Sequence, residues 1–170
     1  MPPLRGVGPR LASWVRLEEV GSMLRTEVTA VDHSVKKANE WLEQLASELD
    51  KPGDRRHAFR VLRAFFHTLR DRLPVETTAH LSAQLPELLR GVYYEGWRPS
   101  RVPMTYHNNA TFLDLVAADA GLAGETEAAY AVEAASRVLR RHVTAGEIAD
   151  VRAVLPPGIA VYLTDEDERS

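Results

Sequence analysis

A self-similarity at a spacing of 70 residues constrains this 170-residue chain more than any other feature of its sequence. Aligned without a gap, segments 58–86 and 128–156 share eight identical residues in 29 positions. The identities are Ala58/Ala128, Ala64/Ala134, Leu69/Leu139, Arg70/Arg140, Ala79/Ala149, Ala83/Ala153, Leu85/Leu155 and Pro86/Pro156. Most of them are apolar or small, as expected when two copies of one unit bury the same helix faces. We therefore interpret the chain as an internal duplication.

Helical periodicity runs through most of the sequence, whereas strand signals are scarce. From Asp32 onward, apolar residues recur at steps of three and four, at Val35, Ala38, Leu42, Leu45 and Leu49. This spacing predicts a helix that starts at about Asp32, is capped by Asp32 or Ser34, and ends at Pro52-Gly53. Further helices are expected at about 54–72, 75–84 and 86–94, and Thr144 with Glu147 has the pattern of a capping box.

The predicted fold class is all-α, with two tandem homologous units of about four helices each packed as one helical domain. We assign the units to residues 32–98 and 109–163 and a proline-containing linker to 99–108. Residues 1–31 are expected to be a poorly structured extension, and one hypothesis is that residues 1–30 derive from a start codon assigned too early. The acidic end, 164–170, is expected to be a solvated tail.

Composition excludes several classes of protein. The chain is 45% hydrophobic and 26% charged, which is typical of a globular domain rather than a disordered one. Its net charge of -3 gives no global excess of positive charge for nucleic acid. The absence of cysteine excludes disulfides and thiolate zinc sites and favours a cytoplasmic location, and no apolar run is long enough for a membrane span.

A basic stripe is the first candidate binding site. At 100° per residue, five basic side chains of the second predicted helix fall within about 80° of one another. They are Arg56, Arg60, Arg63, His67 and Arg70. Such a stripe could bind phosphates or another polyanion, or it could be a solvated helix face. The second copy does not repeat it, having Tyr130 and Glu133 at corresponding positions, so we favour the solvated face.

A second candidate site is the aromatic group Tyr93, Tyr94 and Trp97 at the junction between the copies. Aromatic residues with a polar edge anchor many protein interfaces, but they also fill seams between helical units, which we consider the more common case. No catalytic, cofactor-binding or metal-binding set emerges: Glu76 and His80 could share a helix face, but two ligands do not make a metal site. No cofactor is expected.

Four segments carry a resemblance to a known family. They are Asp32-His-Ser-Val35, Asn39-Glu-Trp-Leu42, Leu69-Arg-Asp-Arg-Leu-Pro74 and Leu89-Arg-Gly-Val-Tyr-Tyr-Glu-Gly-Trp-Arg-Pro99. With these motifs the chain resembles the bacterial domain of unknown function 2267 family over about 32–163. The resemblance implies an all-helical fold and a bacterial cytosolic setting, and it brings no activity, ligand or catalytic residue with it.

The leading functional hypothesis is therefore a non-catalytic protein-interaction module with an unidentified protein partner and no membrane association. The alternative is binding of nucleic acid or another polyanion through the Arg stripe. A helical enzyme acting on a small ligand is the least favoured hypothesis.

Overall fold

A computed structural model describes residues 17–165, and every regular element in that range is a helix, which confirms the all-α prediction. Two short 3₁₀ turns lie at Pro99–Arg101 and Val161–Leu163. The α-helices of the range are α1 (Leu17–Glu48), α2 (Arg55–Arg72), α3 (Val75–Ala83), α4 (Glu87–Tyr94), α5 (Asn109–Ala120), α6 (Glu125–His142), α7 (Ala145–Ala153) and α8 (Pro157–Ala160). None of these helices combines the length and the apolar character that crossing a membrane requires.

The first helix begins earlier than the sequence predicted, at Leu17 instead of Asp32. Residues 22–32 contain neither proline nor glycine, so nothing in that stretch interrupts a helix. Residues 17–31, expected to be poorly structured, therefore belong to α1, while 1–16 of the predicted extension and 166–170 of the predicted tail lie outside the described residues. Ser34 does not cap α1; its Oγ accepts a hydrogen bond from the backbone N–H of Leu88, in the first turn of α4, at 3.3 Å.

The chain divides into two compact units, one ending at His33 and one beginning at Ser34. In the described part of the first unit, residues 17–33, the hydroxyl groups of Thr26 and Thr29 donate hydrogen bonds to the carbonyls of Ser22 and Arg25. These bonds to the preceding turn are local to the helix.

The second unit is a helical bundle with one continuous core. Helix α5 packs against both α2 and α6, and the C-terminal part of α1 contributes the fully buried Trp41. The Trp41 ring meets the edge of Phe66 of α2 at 6.3 Å between centroids and stacks on His142 of α6 at 4.5 Å. Because a buried aromatic side chain removes a large apolar area from water, Trp41 ties three helices together.

Several helix boundaries follow from their capping residues. The Asp54 carboxylate accepts the backbone N–H of His57 at 3.0 Å and begins α2, as the sequence predicted. Helices α2 and α6 each have 18 residues, α3 and α7 each have nine, and the starts of each pair differ by 70 positions. The third pair departs from this regularity, since α4 has eight residues and α8 only four.

Candidate functional site

The structure divides the predicted Arg stripe into two parts. Arg56 and Arg60 lie on an exposed face of α2, and neither forms an ion pair with a carboxylate among the described residues. The guanidinium of Arg60 lies 3.2 Å from Nδ1 of His57, whose pKa is lowered by burial and then by Lys51 and Arg60. These two arginines are the part of the stripe that solvent reaches freely.

Arg63 is neutralised by two carboxylates. Its Nε donates to Glu95 at 2.9 Å and its Nη1 to Asp119 at 3.0 Å. The hydrogen bond to Glu95 is the main reason why the pKa of Arg63 is raised, and the Arg63 guanidinium in turn lowers the pKa of Glu95. Arg63 therefore connects α2 to the end of α4 and to α5, and its charge is already matched.

His67 and Arg70 are also engaged within the fold. His67 donates from Nε2 to the carbonyl of Val92 at 2.7 Å, its Nδ1 lies 3.7 Å from Asp119, and burial lowers its pKa. Arg70 is 3% exposed and donates to the backbone carbonyls of Tyr93 and Glu95, closing the C-terminal end of α4. We refer to Arg63, His67, Glu95 and Asp119 as the α2 cluster.

The predicted aromatic site runs from the buried core at Tyr93 to the partly exposed Tyr94 and Trp97. Tyr93 is completely buried and meets Phe66 and Tyr94 edge to face, at 5.6 and 5.4 Å between ring centroids. The rings of Tyr94 and Trp97 lie 5.2 Å apart, and the Tyr94 hydroxyl shares a 2.7 Å hydrogen bond with Ser82. Burial raises the pKa of Tyr93. Only Tyr94 and Trp97 are partly exposed, so the group fills a seam between α3 and α4 and offers little surface for a partner.

A second group of charges, which the sequence analysis missed, lies between the C-terminal end of α1 and α6. Glu48 accepts a 2.8 Å hydrogen bond from Arg137 and another from Arg141. Burial opposes ionisation of Glu48, but the two arginines outweigh it and hold its pKa below the ordinary value. We refer to Glu48, Arg137 and Arg141 as the α6 cluster.

The α6 cluster lines an open groove of about 490 Å³. At one side of the groove the Tyr130 hydroxyl donates to the Asp50 carboxylate at 2.6 Å and to the Glu48 carbonyl at 3.0 Å. The remaining lining residues are Glu43, Gln44 and Ser47. The hydrogen bonds of Glu48 to Arg137 and Arg141 hold α1 against α6. Three carboxylates and two arginines line the groove, so the arginines there are already engaged by acidic neighbours.

The described residues were compared with what a metal site or an acid–base site requires. Within residues 17–165, no three His, Cys, Asp or Glu side chains are grouped so that they could hold a metal ion. Glu147 of α7 has one carboxylate oxygen buried without a partner in the described chain, and burial raises its pKa. The charges of His80 and Asp150 also act on Glu147, lowering and raising its pKa respectively. A shifted pKa by itself does not identify a catalytic site.

Exposed apolar side chains recur at helical spacing along α1, beside Met23, which is 66% exposed. Leu24, Val28, Val31 and Val35 follow one another at steps of four, three and four, with exposures of 56%, 60%, 61% and 42%. We call these four residues the apolar row. The predicted helix began at Asp32 and so excluded most of the row, although the same spacing continues upstream of that residue.

Two comparisons with known proteins bear on this chain. A protein-family model described as "Uncharacterized conserved protein (DUF2267)" matches residues 38–162, about three quarters of the chain. A search of curated proteins finds no match. The matched region contains α2 to α8 complete, together with both charge clusters and the aromatic group. This chain belongs to the DUF2267 family.

Proposed function

We propose that this protein is a non-catalytic helical module that binds other proteins, and that the apolar row of α1 is its docking surface. The exposure of the row is the observation that carries the proposal. Burying one Val or Leu side chain contributes about 1.5–3 kcal/mol relative to leaving it in water. Four such side chains in line on one helix face are therefore a substantial source of binding energy, and contiguous apolar surface of this kind is typical of interaction sites.

The state of the charged residues supports the non-catalytic part of the proposal. In both clusters the arginine and histidine side chains are hydrogen-bonded to carboxylates or to backbone carbonyls. These bonds link one helix to another. A catalytic acid or base needs access to a substrate and a pKa close to the working pH. Groups that already serve as links between helices are poorly suited to that task.

The shared helix lengths support the proposal that the module arose by duplication. We propose that 32–98 and 109–163 are tandem copies, because α2/α6 and α3/α7 match in length and in their 70-residue offset. From the family resemblance we also propose that the protein is located in the bacterial cytoplasm.

The docking proposal is tested by capture from a lysate of the native host treated with nuclease. The test variant is Leu24→Glu with Val28→Glu, and the matched control is Thr26→Glu with Thr29→Glu, which places the same charges elsewhere on the same exposed helix. A stoichiometric protein retained by the parent and the control but lost from the test variant is the expected result. Equal retention by all three proteins would contradict the docking surface.

Binding of a polyanion is the second candidate function, favoured only by the exposure of Arg56 and Arg60. Two phosphate contacts on duplex DNA predict a slope of about -2 for log affinity against log salt, from -0.9 per contact. Fluorescence anisotropy with duplex DNA measures this slope for the parent, for Arg56→Glu with Arg60→Glu, and for Arg98→Glu with Arg101→Glu as a control. Absence of binding by the parent at low salt would end this alternative.

A further inference from the structure

We propose that the partner of the apolar row is a second copy of the same chain, so that two α1 helices pair in antiparallel orientation about a twofold axis. This inference rests on the proposed docking function of the row and names its occupant. It is argued from the spacing of the apolar row and from the two charges beside it.

The spacing of the apolar row is symmetric when read in either direction. The steps between Leu24, Val28, Val31 and Val35 are four, three and four. An antiparallel copy related by an axis between residues 29 and 30 therefore places Leu24 opposite Val35 of the second copy and Val28 opposite its Val31. Alternating steps of three and four keep a seam between two helices aligned over successive turns. The four apolar residues of each copy then form four layers with none left over.

Two charges beside the row fit the same arrangement. Arg25 follows Leu24 and Asp32 follows Val31, so both occupy the same flank of the seam, seven residues apart, and both side chains are exposed. In an antiparallel helix pair, equivalent flanks face each other. Arg25 of each copy then lies beside Asp32 of the second copy, which gives two ion pairs by symmetry. A parallel pair would place these flanks on opposite sides of the seam and form neither ion pair.

The size of the interface predicts a weak dimer. The row covers twelve residues of helix, about 18 Å at 1.5 Å per residue, and its four layers bury less than the roughly 1,000 Å² typical of stable interfaces. Two exposed ion pairs add little to the affinity, because water and salt screen them. We therefore expect a concentration-dependent equilibrium between monomer and dimer with a Kd on the order of micromolar.

Sedimentation velocity on the full chain tests the dimer over about 1 to 200 µM, a range that brackets such a Kd. The expected mass rises from 19.0 kDa towards twice that value with concentration. Leu24→Glu with Val28→Glu should weaken the dimer at least about tenfold, equivalent to 1.4 kcal/mol, whereas Thr26→Glu with Thr29→Glu should leave it unchanged. Circular dichroism establishes that each variant keeps its helix content.

A charge exchange tests the antiparallel register. Arg25→Asp leaves two acidic residues on the flank and Asp32→Arg leaves two basic ones, so each variant should self-associate less than the parent. Mixed together, the two variants restore both oppositely charged contacts, and a heterodimer at least as tight as the parent dimer is expected. If mixing restores nothing, the antiparallel register is wrong.

The outcomes separate this inference from the proposed function. A parent that stays monomeric at every concentration overturns self-pairing, while row-dependent capture of a different protein would still support the docking function. A dimer that survives Leu24→Glu with Val28→Glu places the interface elsewhere and overturns self-pairing as well. A dimer that is weakened by Leu24→Glu with Val28→Glu but not by Thr26→Glu with Thr29→Glu, and that forms again when Arg25→Asp and Asp32→Arg are mixed, establishes the inference.

Discussion

The α2 cluster and the α6 cluster both link helices through a carboxylate, but the side chains that bond to that carboxylate differ. In each, a carboxylate at or next to the C-terminal end of a helix, Asp119 of α5 or Glu48 of α1, is hydrogen-bonded to a long helix from the other half of the chain. In the α6 cluster the carboxylate has two arginine partners, whereas in the α2 cluster the partners are Arg63 and the partly buried His67. The comparison teaches that links at similar places in the fold can be built from different residue types, and that one of the two links contains a histidine, whose pKa is lowered by burial.

A buried arginine accompanies each cluster, and this pair offers the largest expected effect. Arg70 is 3% exposed and donates to two backbone carbonyls as well as to Asp71. Arg140, at the corresponding position of α6, has a 12% exposed side chain and donates to the carbonyl of Tyr162 and to the exposed Asp165. We predict that Arg70→Met lowers the free energy of unfolding by about 3 kcal/mol, because several buried acceptors lose their donor.

The matched variant Arg140→Met should cost about 1 kcal/mol, because one of its partners, Asp165, is well solvated and so gains little from the pairing. Urea unfolding followed by circular dichroism at neutral pH measures both values. Equal losses for the two variants would mean that Arg70 and Arg140 contribute equally to the free energy of unfolding despite their different burial.

The next largest losses of unfolding free energy are expected from substitutions within the two clusters. Glu48→Gln keeps the shape of the side chain but removes the charge that Arg137 and Arg141 share, so that Arg137 keeps Glu133 at 3.7 Å whereas Arg141 loses its carboxylate. We predict a loss of about 1.5 kcal/mol at neutral pH. Asp119→Asn should cost about 0.5 kcal/mol, because Arg63 keeps its ion pair with Glu95. A larger loss for Asp119→Asn than for Glu48→Gln would contradict the prediction that the carboxylate of the α6 cluster contributes more to stability than Asp119 of the α2 cluster.

Capping distinguishes the two long helices more modestly. The N-terminal end of α2 is capped by the Asp54 side chain, whereas Gly124 precedes α6 without a side-chain cap. Asp54→Ala should therefore cost about 1 kcal/mol, and Asp54→Asn, which keeps the acceptor, close to none. Thermal unfolding of both variants checks the prediction, and a similar loss for the two would assign the effect to the charge of Asp54 instead of its hydrogen bond.

Local features were predictable from the sequence, and links over long separations were not. The bounds of α2 follow from its own cap and the proline after it, and Thr144 accepts the N–H of Glu147 as the capping-box pattern predicted. The other half of that box is different: the N–H of Thr144 donates to Gln84, 60 residues away, at 2.8 Å. No local pattern can reveal such a partner.

The same limit explains the candidate sites. The sequence placed Arg63 and Arg70 on a basic stripe because their angular positions on α2 are close. Which of them reach solvent depends on α4 and α5, whose Glu95 and Asp119 lie 32 and 56 residues beyond Arg63. The apolar row of α1, by contrast, has a purely local signal and was missed only because the start of the helix was predicted too late.

The smallest expected effect concerns the pH dependence of the α2 cluster. Burial lowers the pKa of His67, Arg70 and Arg63 lower it further, and the Val92 carbonyl and Asp119 oppose them. The native state therefore binds a proton less readily than the unfolded chain, where a histidine has a pKa near 6.5. The stabilising effect of neutral His67 is fully present above that value and is lost as the pH falls below it towards the lowered native-state pKa, by less than the ~1.4 kcal/mol per pH unit that one proton allows.

His67→Gln should flatten this dependence, since the amide can still donate to Val92 but does not titrate. His142→Gln is the matched control on α6: burial also lowers the pKa of His142, but that side chain is exposed and bonded to Gln44. Chemical denaturation at pH 7.5 and 5.5 gives the change in unfolding free energy for each protein. The change should shrink more for His67→Gln than for His142→Gln, because the more buried imidazole discriminates more strongly against its charged form. An undiminished change in His67→Gln would show that the proton is taken up elsewhere and that the two clusters respond alike to pH.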